Sequence, residues 1–239
     1  MAFPKLSEVS MYPITIPSMG LETRFRPYLV KEEKVLLIAS EQNDADLINE
    51  AVLDLVKSCI EAEINEKNLT TYDVEYLFCN IRAKSVGEVA TLGFACSHEE
   101  CFHQTEVKIR IEDATIDWKD QKNNIIEISE NVSVEMGHIT YNDIIRNSKL
   151  KDAKTDSEII YLSTIMSMKY VITDDERIDV ADETFEELVE FVNNMTTEQF
   201  NLLREYATNS PEVKLDVTWE CEACHKENQV ELRGMADFF

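Results

Sequence analysis

The chain has 239 residues and a formal net charge of -24, with 44% hydrophobic and 29% charged residues. This composition excludes wholesale disorder, and the excess of acid excludes a nucleic-acid or anionic-membrane surface, either of which needs a basic footprint. No apolar run approaches the ~18 residues of a membrane span, and residues 1–20 lack the apolar core of a secretion signal, so a reducing cytosol is the expected setting.

From the N-terminus, prolines at 13, 17 and 27 forbid a helix interior and predict extended structure over residues 11–29, an edge strand or an arm laid on a partner, within an N-terminal arm 1–30. Apolar spacing then predicts helices over 31–42, 44–64 and 71–81, the second capped by Asn43 or Asp44. Within 44–64, Ile48, Ala51, Val52, Leu55, Val56 and Cys59 recur on one helical stripe, which makes Cys59 a small core residue. Cys79, next to Phe78, reads the same way. Gly87 marks the turn into an alternating strand at 90–95, and another follows at 105–111. Residues 112–137 read as β structure, with strands 125–128 and 132–136 about a turn at Glu130 and Asn131. Helical periods return near 140–147, 157–170, 183–194 and 197–208, the last opened by a capping box of Thr196 and Gln199. Pro211 ends the helical part, and alternating strands at 213–219 and 229–232 follow.

Four of the six cysteines form two pairs, Cys96 with Cys101 (C-x4-C) and Cys221 with Cys224 (C-x2-C). Both gaps suit a structural zinc site, where two thiolates must reach one tetrahedral ion from a single tight turn. Each pair lies between two alternating strands, so the sequence holds two similar hairpin halves, and two such knuckles on one ion make a zinc ribbon. Free thiols, disulfides and a redox pair are the competing readings. The redox reading wants a thiol pair at a helix N-terminus in a βαβ unit, and hairpin flanks do not supply one. His98, His103 or His225 can replace a cysteine as ligand, although a turn histidine facing solvent is the plainer reading. Four thiolates leave no open coordination position, so the zinc is expected to be structural.

The fold expected is therefore α+β: helical segments combined with a split zinc-ribbon-like β region whose two Cys knuckles are far apart in sequence. The stretches are the arm 1–30, helices 31–85, a β region with the first knuckle 86–137, helices 138–210, and the second knuckle with its tail 211–239, in one to two compact domains. The strongest charge block, Asp174 to Glu190, holds Arg177 among acids at 174, 175, 176, 179, 182, 183, 186, 187 and 190. It reads as a solvated helix face, or as a docking surface for a basic patch. The phosphate-cradling, dinucleotide, nucleophile-elbow and H-E-x-x-H metalloprotease motifs are absent, so no enzyme is expected and no catalytic residue is named.

Four blocks in order, residues 25–39 (FRPYLVKEEKVLLIA), residues 69–90 (LTTYDVEYLFCNIRAKSVGEVA), the two cysteine turns, and residues 230–239 (VELRGMADFF), resemble the T-even-type bacteriophage baseplate hub and hub-assembly protein family. The resemblance implies a virus-encoded late protein, made in the host bacterial cytoplasm, that helps build the central hub of a contractile tail baseplate or stays there in the virion. Its partners would be other baseplate or tail hub proteins, with no nucleic acid and no small-molecule substrate. Arg24, Arg26 and Tyr28 on the arm, and the aromatics Phe238 and Phe239 at the chain end, are the expected partner contacts. The competing function is an acidic zinc-ribbon regulator that binds host transcription machinery.

Overall fold

The computed structural model describes residues 9–42, 44–119 and 123–234. In chain order the elements are β1 (Tyr12–Ile16), β2 (Leu21–Phe25), α1 (Val30–Gln42), α2 (Ala45–Cys59), α3 (Thr71–Val86), β3 (Val89–Ala95), β4 (Gln104–Arg110) and β5 (Thr115–Asp117). There follow β6 (Ile125–Ser129), β7 (Val132–Met136), α4 (Tyr141–Arg146), α5 (Ser148–Asp152), α6 (Asp156–Met166), β8 (Met168–Thr173) and β9 (Arg177–Asp179). The last are α7 (Phe185–Asn193), α8 (Thr197–Thr208), β10 (Glu212–Glu220) and β11 (Glu227–Arg233). Contacts divide the described residues into two compact units, one drawn from 9–65, 72–117 and 212–234, the other from 66–71 and 118–211.

In the first unit, the segment expected as an extended arm is a hairpin folded on its own chain. β1 and β2 pair antiparallel around a turn in which Gly20 takes φ +59, a left-handed conformation that costs glycine nothing. Their alternation turns Ile14, Ile16 and Phe25 into the core. The turn is held by Asp73 of α3, whose buried carboxylate accepts from the Ser18 backbone N–H at 2.8 Å and from the Ser18 hydroxyl at 2.5 Å.

α2 starts where expected, with Asp44 as its cap accepting from the N–H groups of Asp46 and Leu47, and it buries the predicted stripe through Cys59. It stops at Cys59 rather than 64. There Ile60 becomes extended and bridges Phe25, while Arg26 N–H donates to the Cys59 carbonyl at 2.9 Å. Pairing with the hairpin thus draws the chain out of the helix. α3 continues past 81 to Val86 and is ended by Gly87 at φ +138. α1 buries only Ala39 and leaves Val30, Val35, Leu37 and Ile38 exposed.

The hairpin β3–β4 forms a two-stranded sheet, and β11–β10–β5 forms a three-stranded one. β5 was not anticipated as a separate strand. It pairs with the start of β10, so that Asp117 lies opposite Glu212. The Arg233 guanidinium ties these ends together, bonding the carboxylates of Asp117, Glu212 and Glu231. Cys79 and Ala83 of α3 pack with Ile109, Ile111, Val213, Leu215, Val217 and Leu232 beneath the strands.

The second unit is a four-stranded meander, β6–β7–β8–β9, with helices packed against it. Its core joins Val134 and Met136 to Ile165, Met168, Val171, Val192 and Leu203. The helix expected over 157–170 ends at Met166. From Met168 the chain pairs with β7, placing Val171 opposite Val134, because Tyr170, Val171 and Ile172 favour a pleated, half-buried surface. The stretch 138–210 therefore holds two strands as well as helices. In the acidic block, Arg177 pairs with Glu135 at 2.7 Å and lies 3.8 Å over the Tyr170 ring, while most of the acids face solvent.

Capping boxes open α4, α6, α7 and α8. The box at α8 is the one read from sequence, and Gln199 also donates to the Ile128 carbonyl at 2.7 Å, fastening α8 to β6. Thr196→Ala removes the oxygen that accepts from the Gln199 N–H, and is expected to destabilise the second unit by about 1 kcal/mol. Thermal melting followed by helical circular dichroism reads this directly; an unchanged midpoint would mean the cap is dispensable.

Candidate metal centre

The four paired cysteines come together in the first unit. Their Sγ atoms all lie within 4.8 Å of one another, with Cys96 and Cys224 at 3.7 Å and Cys101 and Cys221 at 3.7 Å. Metal–thiolate bonds of about 2.3 Å in a tetrahedron place sulfurs about 3.8 Å apart, so the cluster fits such an ion. A disulfide needs about 2.05 Å, and all six cysteines are free thiols. Cys96 and Cys221 are buried, and Cys101 and Cys224 partly so.

The two knuckles are built alike on either side of their cysteine gaps. In each, the N–H of the first cysteine donates to the carbonyl two positions beyond the second: Cys96 to His103 at 2.8 Å, Cys221 to Lys226 at 2.9 Å. In each, the residue directly after the second cysteine is left-handed: Phe102 at φ +48 and His225 at φ +55. In each, an aromatic stands two positions before the first cysteine, and these two, Phe94 and Trp219, pack against each other with centroids 5.0 Å apart and planes tilted by 30°. The wider first gap is taken up by an extra left-handed residue, Glu100 at φ +70, and a turn bond from Cys101 N–H to the His98 carbonyl.

One side chain clips the halves together. Asn228, buried beside the second knuckle, accepts from the Ser97 N–H at 2.9 Å and the Ser97 hydroxyl at 3.0 Å, and its own amide donates to the Lys226 carbonyl. Neither Asn228 nor the Phe94–Trp219 contact was singled out from sequence. The signal available was positional, since both aromatics precede their knuckle by the same offset.

The two thiols of the second knuckle are shifted in opposite directions. Backbone N–H groups of Cys224 and Ala223 aimed at the Cys221 sulfur bring that thiol down to about 6. The Lys226 N–H acts on Cys224 in the same sense, but burial and the neighbouring thiols outweigh it and push Cys224 up to about 11. Metal ions bind the thiolate form of cysteine, so an ion on this group would be taken up with release of protons. Cys59 and Cys79 lie apart from the cluster. Burial raises both, Cys79 to about 12, as befits inert core residues.

The nearby histidines are occupied elsewhere. His98 Nε2 is 3.0 Å from the Glu227 carbonyl, His225 Nδ1 is 3.1 Å from Glu220, and His103 is 4.0 Å from Glu222. Among the described residues the metal-capable group consists of the four thiols.

The expected partner contacts are placed as follows. Arg24 is exposed on β2. Arg26 is turned to its own chain, pairing with Glu32 at 2.9 Å and donating to the Ser58 carbonyl at 3.0 Å. Tyr28 is half-buried, its backbone N–H donating to the Ser85 hydroxyl at 2.9 Å, and burial raises its phenol. Phe238 and Phe239 lie outside the described residues.

No described helix is long and apolar enough to cross a membrane. The family described as T4 bacteriophage base plate protein matches this chain over residues 9–239. No curated protein and no solved structure matches it.

Proposed function

Because the chain belongs to the T4 bacteriophage base plate protein family, we propose that it is a non-enzymatic structural or assembly protein of the baseplate hub, stabilised by a zinc ion on Cys96, Cys101, Cys221 and Cys224. The family match over nearly the whole chain is the observation that carries the baseplate role. The hub assignment adds to it the four sequence blocks that resemble hub and hub-assembly proteins. The zinc assignment rests on four thiols at tetrahedral spacing, a donor set that closes the coordination sphere and leaves no position for water or substrate. The ion's task is then to join two hairpins that are remote in sequence. Partners are other baseplate proteins, met in the host cytoplasm during assembly or in the tail. Arg24, exposed on β2, is the proposed contact from the N-terminal segment, and Phe238 and Phe239 are proposed as contacts at the chain end.

The test is recovery of the tagged full-length chain from infected bacteria. Hub proteins of the tail should accompany it, and native mass spectrometry should find one zinc per chain. Cobalt substitution should give the intense absorption of a tetrathiolate centre. Recovery of host polymerase without tail proteins would overturn the hub reading, and a metal-free chain with full thermal stability would overturn the zinc.

A further inference from the structure

The tip of the first knuckle carries a side chain that the metal centre does not use. Phe102 follows Cys101 at φ +48, and its ring is 69% exposed. The left-handed region is open to glycine at no steric cost and is a true outlier for a bulky residue. Its counterpart in the second knuckle, His225, is equally left-handed, but that ring is engaged by Glu220 of its own chain. The first knuckle therefore holds a large apolar ring in a strained backbone and presents it to water. Strain of this kind persists where the surrounding structure over-determines it, here in the turn common to both knuckles, so it is the exposed apolar ring rather than the angle that sets the first knuckle apart.

The surroundings define what Phe102 can meet. Glu99 and Glu100 are exposed in the same turn, and Glu220, Glu222 and Glu227 are exposed on the neighbouring knuckle, with Lys226 as the exposed cation between them. His103 stands 4.0 Å from Glu222, which brings that acid beside the residue adjoining Phe102. The proposed divalent ion in four thiolates would leave the centre anionic as well. An exposed aromatic on an acidic knuckle fits an apolar pocket rimmed by Arg or Lys.

We infer that Phe102 is the anchor by which the metal-held knuckle docks into a basic-rimmed apolar pocket on a neighbouring protein of the baseplate. The inference rests on the baseplate reading and adds the contact residue and the chemistry of its receptor. The metal centre serves the contact by fixing the turn before the partner arrives, so that little ordering remains to be done on binding.

The probe is the full-length chain with photoreactive benzoylphenylalanine in place of Phe102, irradiated in infected bacteria, with the cross-linked peptide sequenced. The cross-link should fall on an apolar side chain flanked by Arg or Lys in a baseplate protein. Phe102→Gly relieves the backbone strain. It should keep one metal per chain, melt at the same or a higher temperature, and recover that protein at least tenfold less well. Phe102→His, which copies the second knuckle, should lose the contact in the same way. No cross-link at 102, a cross-link to an acid-rimmed surface, or undiminished recovery by both variants overturns the anchor. If the unaltered chain recovers baseplate proteins in that experiment, the baseplate reading survives the anchor's failure; if it recovers none, both fall.

Discussion

Stripping the metal from the intact chain, or replacing Cys221 and Cys224 together by serine, should unfold the strands of the first unit while the helices of the second persist. Structural zinc contributes on the order of 10–16 kcal/mol of apparent folding free energy in small zinc domains. A whole domain's net stability is about 5–15 kcal/mol, so loss of the ion is comparable with everything else that holds the unit together. The two hairpins share a core beneath the strands with Cys79 and Ala83 of α3, but at the knuckle ends they meet through the four thiols, the Phe94–Trp219 contact and the Asn228 clip, which share one neighbourhood. Hydrogen exchange should show protection lost over β3, β4, β10 and β11, with retained protection over α6, α7 and α8. Unchanged melting and exchange after metal removal would mean that packing alone holds the hairpins.

Leu203→Ala should act on the other unit. Leu203 is fully buried among Val134, Met136, Ile165, Met168, Val171 and Val192, and truncation in such a site costs about 2–5 kcal/mol. The expected result is an early melting step that removes the helical signal of α6–α8, followed by a second step near the parent temperature. The variant should retain its metal through the first step. Metal release in step with that first transition would show that the two units unfold as one block.

The clustering of the four cysteines was legible in the sequence because its determinants are local. A tight cysteine pair between alternating strands forms its own turn wherever the rest of the chain goes. The capping box of α8 and the stripe of α2 were legible for the same reason. What escaped depends on partners far away in sequence. Nothing local in Ile60 says that α2 must stop at Cys59; the reason is the bridge to Phe25. β5 is too short to carry a pattern and exists because β10 has a free edge beside it. The segment 157–170 carries a helical period throughout, yet β7 recruits its end as a strand. The prolines left residues 11–29 open between an edge strand and an arm laid on a partner; the strand alternative holds, because Ile14, Ile16 and Phe25 find a core on the same chain. Phe102 was unremarkable as a letter, and only its backbone angle and exposure distinguish it.

The sulfurs that meet in the centre come from positions as much as 128 residues apart. On the ribosome, therefore, the first pair emerges long before the second. At about 5–20 residues per second, Cys96 and Cys101 wait roughly 6–25 s for their partners. During that interval two thiols stand ready with half a coordination sphere, and any ion they take is weakly held and readily exchanged. A chain released before Cys221 never closes the ring and leaves the first unit's strands unjoined, a natural target for proteolysis. With the proposed zinc in place, only chains read through to the second knuckle would acquire the stability that the closed centre supplies.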